Sequence, residues 1–303
     1  MAPIIKVGFC VSYDWELLKN SIPPIYELAD IVCLAIDKNR KSWSRNHYKF
    51  NEQDFYQFIK SIDRDKKIDI YEDDFSISTL NSRENCNRHR TLIAERMGKG
   101  GWHIQIDSDE YFLNFESFKN HLLSINSNPT GDEKPINVCA NLLPIYKRVE
   151  NGYLLIDFQK KAIENAPFAT NVPLYERARN NGHFNNISSN FVIHETWARD
   201  EDQLWFKLKN WGHASEELDA LEYKESYFAL WKSINEYNYQ HIKNINPAKN
   251  EIWPGLMFVK AKSINELIDK LESDIPQTGN LSLKIKNSRN VARLKSIYNK
   301  LKK

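Results

Sequence analysis

The chain has no disulfide or zinc framework on view. Its four cysteines, Cys10, Cys33, Cys86 and Cys139, are scattered and form no C-x-x-C pairing. Three of them sit beside apolar residues in expected strands or helices, where a free thiol behaves as a small buried hydrophobe. A reducing compartment is therefore expected. The opening, MAPIIKVGFCVSYDW, lacks a basic segment followed by a long apolar one, and no stretch approaches the roughly 18 to 20 apolar residues that span a bilayer. A cytoplasmic protein is the expectation. Net charge is scarce too: 42 Lys and Arg against 40 Asp and Glu leave +2, so the molecule as a whole has no electrostatic case for binding nucleic acid. Internal repeats and low-complexity stretches are absent. One local absence stands out, because no acidic residue occurs from Leu281 onward.

What is present is a soluble α/β pattern in 303 residues, ample for one domain and an appendage. Ile4 to Val11 (IIKVGFCV) and Ile31 to Ile36 (IVCLAI) read as strands buried on both faces. Between them a helix from Trp15 to Ala29 must break or restart at Pro23 and Pro24. Phe55, Phe58, Ile59 and Ile62 recur at helical spacing, and Ile68 to Tyr71 forms a third strand. Asn81 with Glu84 three positions on makes a capping box, and Gly98 ends the helix that follows. The strand Trp102 to Ile106 then delivers the chain to Asp107. A Phe-rich helix (Phe115 to Leu123) and a strand from Asn137 to Leu143 follow, but Ile145 to Asn190 shows no readable period. Asn190 to Ile193 reads as a strand entering His194, ahead of helices over Glu201 to Trp211 and Tyr223 to Tyr239. Strand and helix alternating in this way argue for a doubly wound sheet. The expected organisation is a domain over 1–215 and a helical C-terminal region over 216–303.

Three D-x-D triplets occur, at Asp63/Asp65, Asp107/Asp109 and Asp200/Asp202. The first lies in a Lys- and Arg-rich helix end and the last in the first turn of a helix, where acids favour the macrodipole. Asp107 and Asp109 instead follow a strand with apolar residues at alternate positions, and Glu110 comes next. Carboxylates gathered at the C-terminal edge of a central strand are costly without a compensating cation. That edge is where open α/β sheets bind ligands, and hard oxygen donors suit Mg²⁺ or Mn²⁺.

The segment Asn81 to Phe112, NSRENCNRHRTLIAERMGKGGWHIQIDSDEYF, resembles glycosyltransferases of family 2 and related GT-A enzymes. Those sequences place an Arg- and Asn-containing helix before a strand ending in D-x-D or D-x-D-E-F. Here Tyr111 precedes Phe112, and Val11-Ser12-Tyr13-Asp14 replaces a Pro-x-Tyr-Asn-like turn. The resemblance implies a GT-A fold with a doubly wound mixed sheet. It also implies that Asp107 and Asp109, with Ser108 between them, hold a metal and the diphosphate of a nucleoside-diphosphate sugar. Asp37 would contact the nucleoside, and Arg83 and Arg90 would face the donor. A solvated helix face pairing with Glu84 and Glu95 is the plain alternative for the arginines.

A second window is Phe191 to Ala214, FVIHETWARDEDQLWFKLKNWGHA. His194 at a strand end is either bonded to backbone or a third metal ligand. Related GT-A sequences place such a His before an aromatic and an acidic helix with a downstream Lys, and Trp197, Glu201 and Lys207 fit. An inverting transferase needs a base for the acceptor hydroxyl, and the candidates are Glu195, Glu201 and Asp202. A retaining enzyme would need none.

The expected function is metal-dependent sugar transfer to a glycan or lipid-linked acceptor. A metal-dependent phosphotransferase or phosphohydrolase and a non-catalytic glycan- or nucleotide-binding relative are the rivals. Over 281–303, Val291, Leu294, Ile297, Tyr298 and Leu301 form an apolar stripe among Lys and Arg. That segment either lies on anionic lipid or docks on the domain with a solvated basic face. No nucleic-acid partner is expected, since the basic run is short and carries no base-reading motif.

Overall fold

A computed structural model describes residues 4–157, 164–212, 220–240, 242–243, 252–253, 255–275, 280–291, 293–294 and 298. The architecture is mixed α/β, with a ten-stranded sheet and helices packed against it. β1 (Ile5–Val11) pairs in parallel with β2 (Ile31–Asp37), and the connection holds a 3-10 turn and two short helices, α1 (Leu18–Ser21) and α2 (Pro23–Tyr26). The expected single helix thus breaks at Pro23, where no N–H exists to continue the ladder. α3 (Glu52–Ile62) leads to β3 (Ile68–Asp73), which extends the parallel sheet beyond β2.

α4 (Ser82–Met97) carries the capping box read from the sequence: Asn81 and Glu84 satisfy each other's backbone N–H groups. Gly98 ends the helix with φ +75°. The helix lies tight on β1 because Gly8 has no side chain; a Cβ there would stand 2.3 Å from Ile93 Cγ2. Lys6, buried on β1, donates to the carbonyls of Gly98 and Lys99 at 2.8 and 3.1 Å and so caps the helix C-terminus. β4 (Trp102–Asp107) then pairs in parallel with the other edge of β1. The strands β1, β2 and β4 bury Val7, Phe9, Val32, Leu34, Ile104 and Ile106 completely. Their C-terminal ends are consequently rigid and lie side by side.

β5 (Glu110–Phe112) and α5 (Phe115–Ile125) follow, then the long β6 (Ile136–Val149), β7 (Gly152–Ile156), β8 (Glu164–Thr170) and β9 (Phe184–His194). The sheet order is β12-β7-β6-β8-β4-β1-β2-β3, with β9 joined to β5 and β6. β8 is antiparallel to β4, whereas β6 and β9 are parallel to each other. The stretch without a readable period is therefore mostly strand. Its pattern is broken by asparagines bonded to those of β6: Asn181, before β9, bonds Asn137 at 2.8 Å, and half-buried Asn165 of β8 bonds Asn141 at 2.7 Å. Pro167 falls beside the register shift between Val138 and Cys139, where a ladder bond is not needed.

α6 (Glu201–Asn210) and α7 (Leu221–Ser233) are followed by a two-stranded pair, β10 (Ile242–Lys243) and β11 (Ile252–Trp253). β12 (Leu256–Lys260) then adds an edge strand to β7, and α8 (Ile264–Asp274) and α9 (Asn280–Lys286) close the described chain. The region over 216–303, expected to be helical, holds α7, α8 and α9 but also β12, whose apolar residues complete the core around Tyr153 to Leu155. Among the described residues no helix is long and apolar enough to cross a membrane.

Two histidines of this framework are held neutral. His89 on α4 is brought to about 3 by burial and by its neighbour Arg90. His103 on β4 is brought to about 4 by burial and by Lys6. Each takes up a proton in the unfolded chain below about pH 6.5 and none in the folded one, so the folded state loses about 1.4 kcal/mol per histidine for each pH unit below that point. Urea melts between pH 7 and 4 should show this fall, and His103→Gln should remove one proton's share of the slope.

Candidate functional site

The C-terminal ends of β1, β2 and β4 open into a cavity of about 510 Å³, a size that suits a small organic ligand. Its wall holds Tyr13 and Asp14 after β1, Lys41 and Trp43 after β2, Asp107 to Asp109 after β4, and His194 at the end of β9. Lys207, Asn210 and Trp211 of α6 cover it. The helix is tied down by Asn210, whose Oδ1 accepts from Ser42 Oγ at 2.6 Å and Asn46 Nδ2 at 3.0 Å. Tyr13 packs edge-on against Phe206 of the same helix, ring centroids 4.9 Å apart.

Asp109 is the centre of the charge arrangement. Its Oδ2 accepts from Arg199 Nη2 at 2.6 Å and from Lys207 Nζ at 2.5 Å. Its Oδ1 lies 3.5 Å from His194 Nε2. The same Arg199 nitrogen donates to Asp14 Oδ2 at 2.9 Å, so one guanidinium joins the β1 end to the β4 end. Burial by itself would raise the Asp109 carboxyl, but Lys207, His194 and Arg199 outweigh it and hold it well below the usual carboxylate range. Asp14 goes the other way: burial raises it, and Arg199 offsets only part of that.

Asp107 is engaged differently. Arg90 Nη2 donates to both of its oxygens, at 2.7 and 2.9 Å, and the arginine is 2% exposed. Arg90 and Asp107 therefore form a partly buried ion pair in the cavity wall. Glu110, fully buried, makes a bidentate pair with Arg179 at 2.6 Å and accepts the Asp107 backbone N–H at 2.8 Å. That carboxylate fixes the turn carrying Ser108 and Asp109. Ser108 also lies in the wall, its hydroxyl buried.

Asp37 has an internal task. Oδ1 accepts the N–H groups of Asn39 and Lys41 at 3.0 and 3.1 Å, and Oδ2 those of Phe75 and Ser76 at 3.1 and 3.2 Å. With four amides on one carboxylate, the residue shapes the two loops of this wall and offers little to a ligand. Beside it, His89 accepts from Trp43 Nε1 at 3.2 Å, which puts its proton on the nitrogen facing the Ala35 carbonyl. Its ring stacks on Phe75 with centroids 3.9 Å apart.

Of the expected site residues, the structure brings Asp107, Ser108, Asp109, Arg83, Arg90, Asp37 and His194 to one cavity. It does not bring the three expected bases there. Glu195 turns away and accepts from Tyr111 Oη at 2.6 Å. Glu201 is exposed and pairs with Lys232 at 2.6 Å, and Asp202 is exposed on the first turn of α6. The catalytic reading of Glu195, Glu201 and Asp202 is corrected accordingly: the helix start uses its acids on capping, solvent and Lys232. The expected metal set is corrected in part, because Asp107 faces Arg90 while Asp109 and His194 face each other.

Sequence reading missed Asp14, Arg179, Arg199, Glu164 and Arg177. Arg199 and Asp14 are 185 positions apart, and no spacing rule connects such a pair. Arg179 and Arg177 lie in a turn that holds Ala178 at φ +54°. Asn87 of α4 pins that turn by accepting from the Ala178 N–H at 2.8 Å and donating to the Glu176 carbonyl.

The fit of a divalent cation follows from these contacts. Among the described residues no three His, Cys, Asp or Glu side chains gather to hold one alone. Asp109 Oδ1 and His194 Nε2, 3.5 Å apart on the cavity wall, suit adjacent positions on a single ion. Mg²⁺ and its relatives are commonly held by one or two protein ligands plus substrate phosphates and water. The donor pair fits an ion of that kind. No protein-family model matches the chain, and no curated protein matches it.

Replacing Arg199 by Leu leaves Asp14 and Asp109 buried with one cation fewer, which should cost about 3 to 5 kcal/mol. The urea midpoint is the measure, and Arg199→Lys should recover part of the loss.

Proposed function

We propose that the chain is a glycosyltransferase of GT-A type that moves a sugar from a nucleoside-diphosphate donor to a hydroxyl acceptor. The observation that carries this reading is the Asp109–His194 pair at the C-terminal edge of β4, facing a cavity whose wall also holds Lys207, Arg83 and Lys41. A diphosphate needs cations, a nucleoside needs flat apolar faces such as Trp43 and Phe75, and both occur in this one space. A phosphotransferase using an aspartate nucleophile is less well served. Asp107 and Asp109 each carry cation partners that lower their nucleophilicity.

In this reading Asp109 and His194 would hold Mn²⁺ or Mg²⁺, which would supply charge for the departing diphosphate. Lys207 stands next to that position, with one of its three donors on Asp109 and two left for phosphate oxygens. Asp37 acts on the nucleoside indirectly, by holding the loops that carry Lys41 and Ser76. Glu164, at the start of β8, is the cavity carboxylate without a cation or amide partner among the described residues. We assign it to acceptor activation. The acceptor oxygen bonds to the anomeric carbon, the bond to the diphosphate oxygen breaks with its electron pair, and the hydroxyl proton passes to Glu164. Such a single displacement inverts the anomeric centre.

Calorimetric titration of UDP and GDP, with Mn²⁺ and with chelator, tests the reading. Metal-dependent binding should appear and should weaken by roughly 100-fold in Asp109→Asn, where a charged contact is lost without change of shape. Absence of binding to either nucleotide under all metals would sink it. Glu164→Gln should keep the nucleotide affinity while donor hydrolysis or transfer falls by roughly 10² to 10⁴.

A further inference from the structure

The basic C-terminal segment is not absorbed by the cavity, and its placement decides between the two readings its sequence leaves open. Leu281 to Lys303 contains eight Lys and Arg and no Asp or Glu. A segment that merely docks on the domain would turn its apolar residues inward. Here the contact with the domain is polar. The Asn287 amide pairs with the backbone of Ile187 on β9, accepting its N–H at 2.7 Å and donating to its carbonyl at 2.9 Å. Arg289 lies over the Phe184 ring at 5.1 Å. Four apolar side chains point out instead: Leu281 is 73% exposed, Ile285 53%, Leu294 65% and Tyr298 57%, whereas Leu283 and Val291 are half-buried and Ile297 and Leu301 of the apolar stripe lie outside the described residues. Nine large hydrophobic side chains are exposed among the described residues, and four of them fall within these 18 positions. Lys284, Lys286, Arg289 and Arg293 are exposed among them.

We propose that this face seats on an anionic lipid surface, with Leu281, Ile285 and Leu294 entering the acyl boundary and the cations meeting the headgroups. Charge selects this occupant. A second copy of the chain would set Lys284, Lys286, Arg289 and Arg293 against the same four cations, and a nucleic acid would leave the apolar side chains without a use. A membrane surface satisfies both halves of the patch. The inference is independent of the transferase reading, since it uses no residue of the cavity.

Sedimentation of the full chain with vesicles tests it, comparing phosphatidylcholine alone with mixtures containing phosphatidylglycerol. The chain should partition onto the anionic vesicles, and added salt should release it. Each Lys or Arg near such a surface contributes about fivefold in partitioning, so Lys284→Gln with Lys286→Gln should weaken it by roughly 25-fold. Ile285→Ser should weaken it as well, at unchanged salt dependence. Thermal melts should leave both variants native-like, because the altered side chains are exposed. Failure to sediment with anionic vesicles, equal binding to neutral ones, or variants that partition like the native chain would each overturn the proposal. So would retention on duplex DNA or RNA with none on lipid.

Discussion

Asp109 is the constraint on which the site depends. Its two oxygens hold together four elements: the end of β4 that carries it, the β9 end through His194, the segment before α6 through Arg199, and α6 itself through Lys207. A buried carboxylate at the edge of a sheet is unfavourable, and two cations sharing one of its oxygens reverse that. Because Arg199 also reaches Asp14, the two central strands β1 and β4 are bridged above the sheet as well as paired within it. The cavity roof and its floor are therefore one electrostatic unit.

Beside that unit lies a second set of ion pairs. Glu110, fully buried, forms a bidentate pair with Arg179 of the wall and also takes the N–H of Asp107. Arg90 reaches both oxygens of Asp107 through one nitrogen. These contacts link the turn after β4 to the pinned loop holding Ala178 and to α4. The orientation of Ser108 and Asp109 is thus set from beneath, and the helix with the readable capping box serves the site through Arg90 and Asn87 as well as through its packing.

Legibility in the sequence followed the kind of interaction involved. β1, β2, β4 and α4 were readable because apolar runs, a capping box and a terminating glycine are local signals, and the local preference agrees with the fold. The first half of β6 and the end of β9 were readable as well, but β8 and the start of β9 were not, because Asn165 and Asn185 bond to Asn141 and Asn137 and interrupt the apolar alternation a strand normally shows. At the site, the strand ends pointed to Asp109 and His194, and both line the cavity. Glu201 and Asp202 lie outside it, since an acidic first turn looks the same in sequence whether it serves a helix or a substrate. Arg199 and Arg179 were invisible, since each acts through a partner far away in the chain.

The four amides gathered on Asp37 have a consequence for how this cavity can change. The course of the loops after β2 and β3 is set from inside the protein, by one carboxylate bonded to backbone. Side chains of those loops such as Lys41 and Trp43 line the cavity, whereas buried Ser76 ties the two loops together by donating to the Ser42 carbonyl at 2.8 Å. Shape and selectivity are carried by different atoms. A lineage could exchange the side chains that read a ligand and keep the loops in place, so the taste of the cavity is free to drift while its outline is inherited.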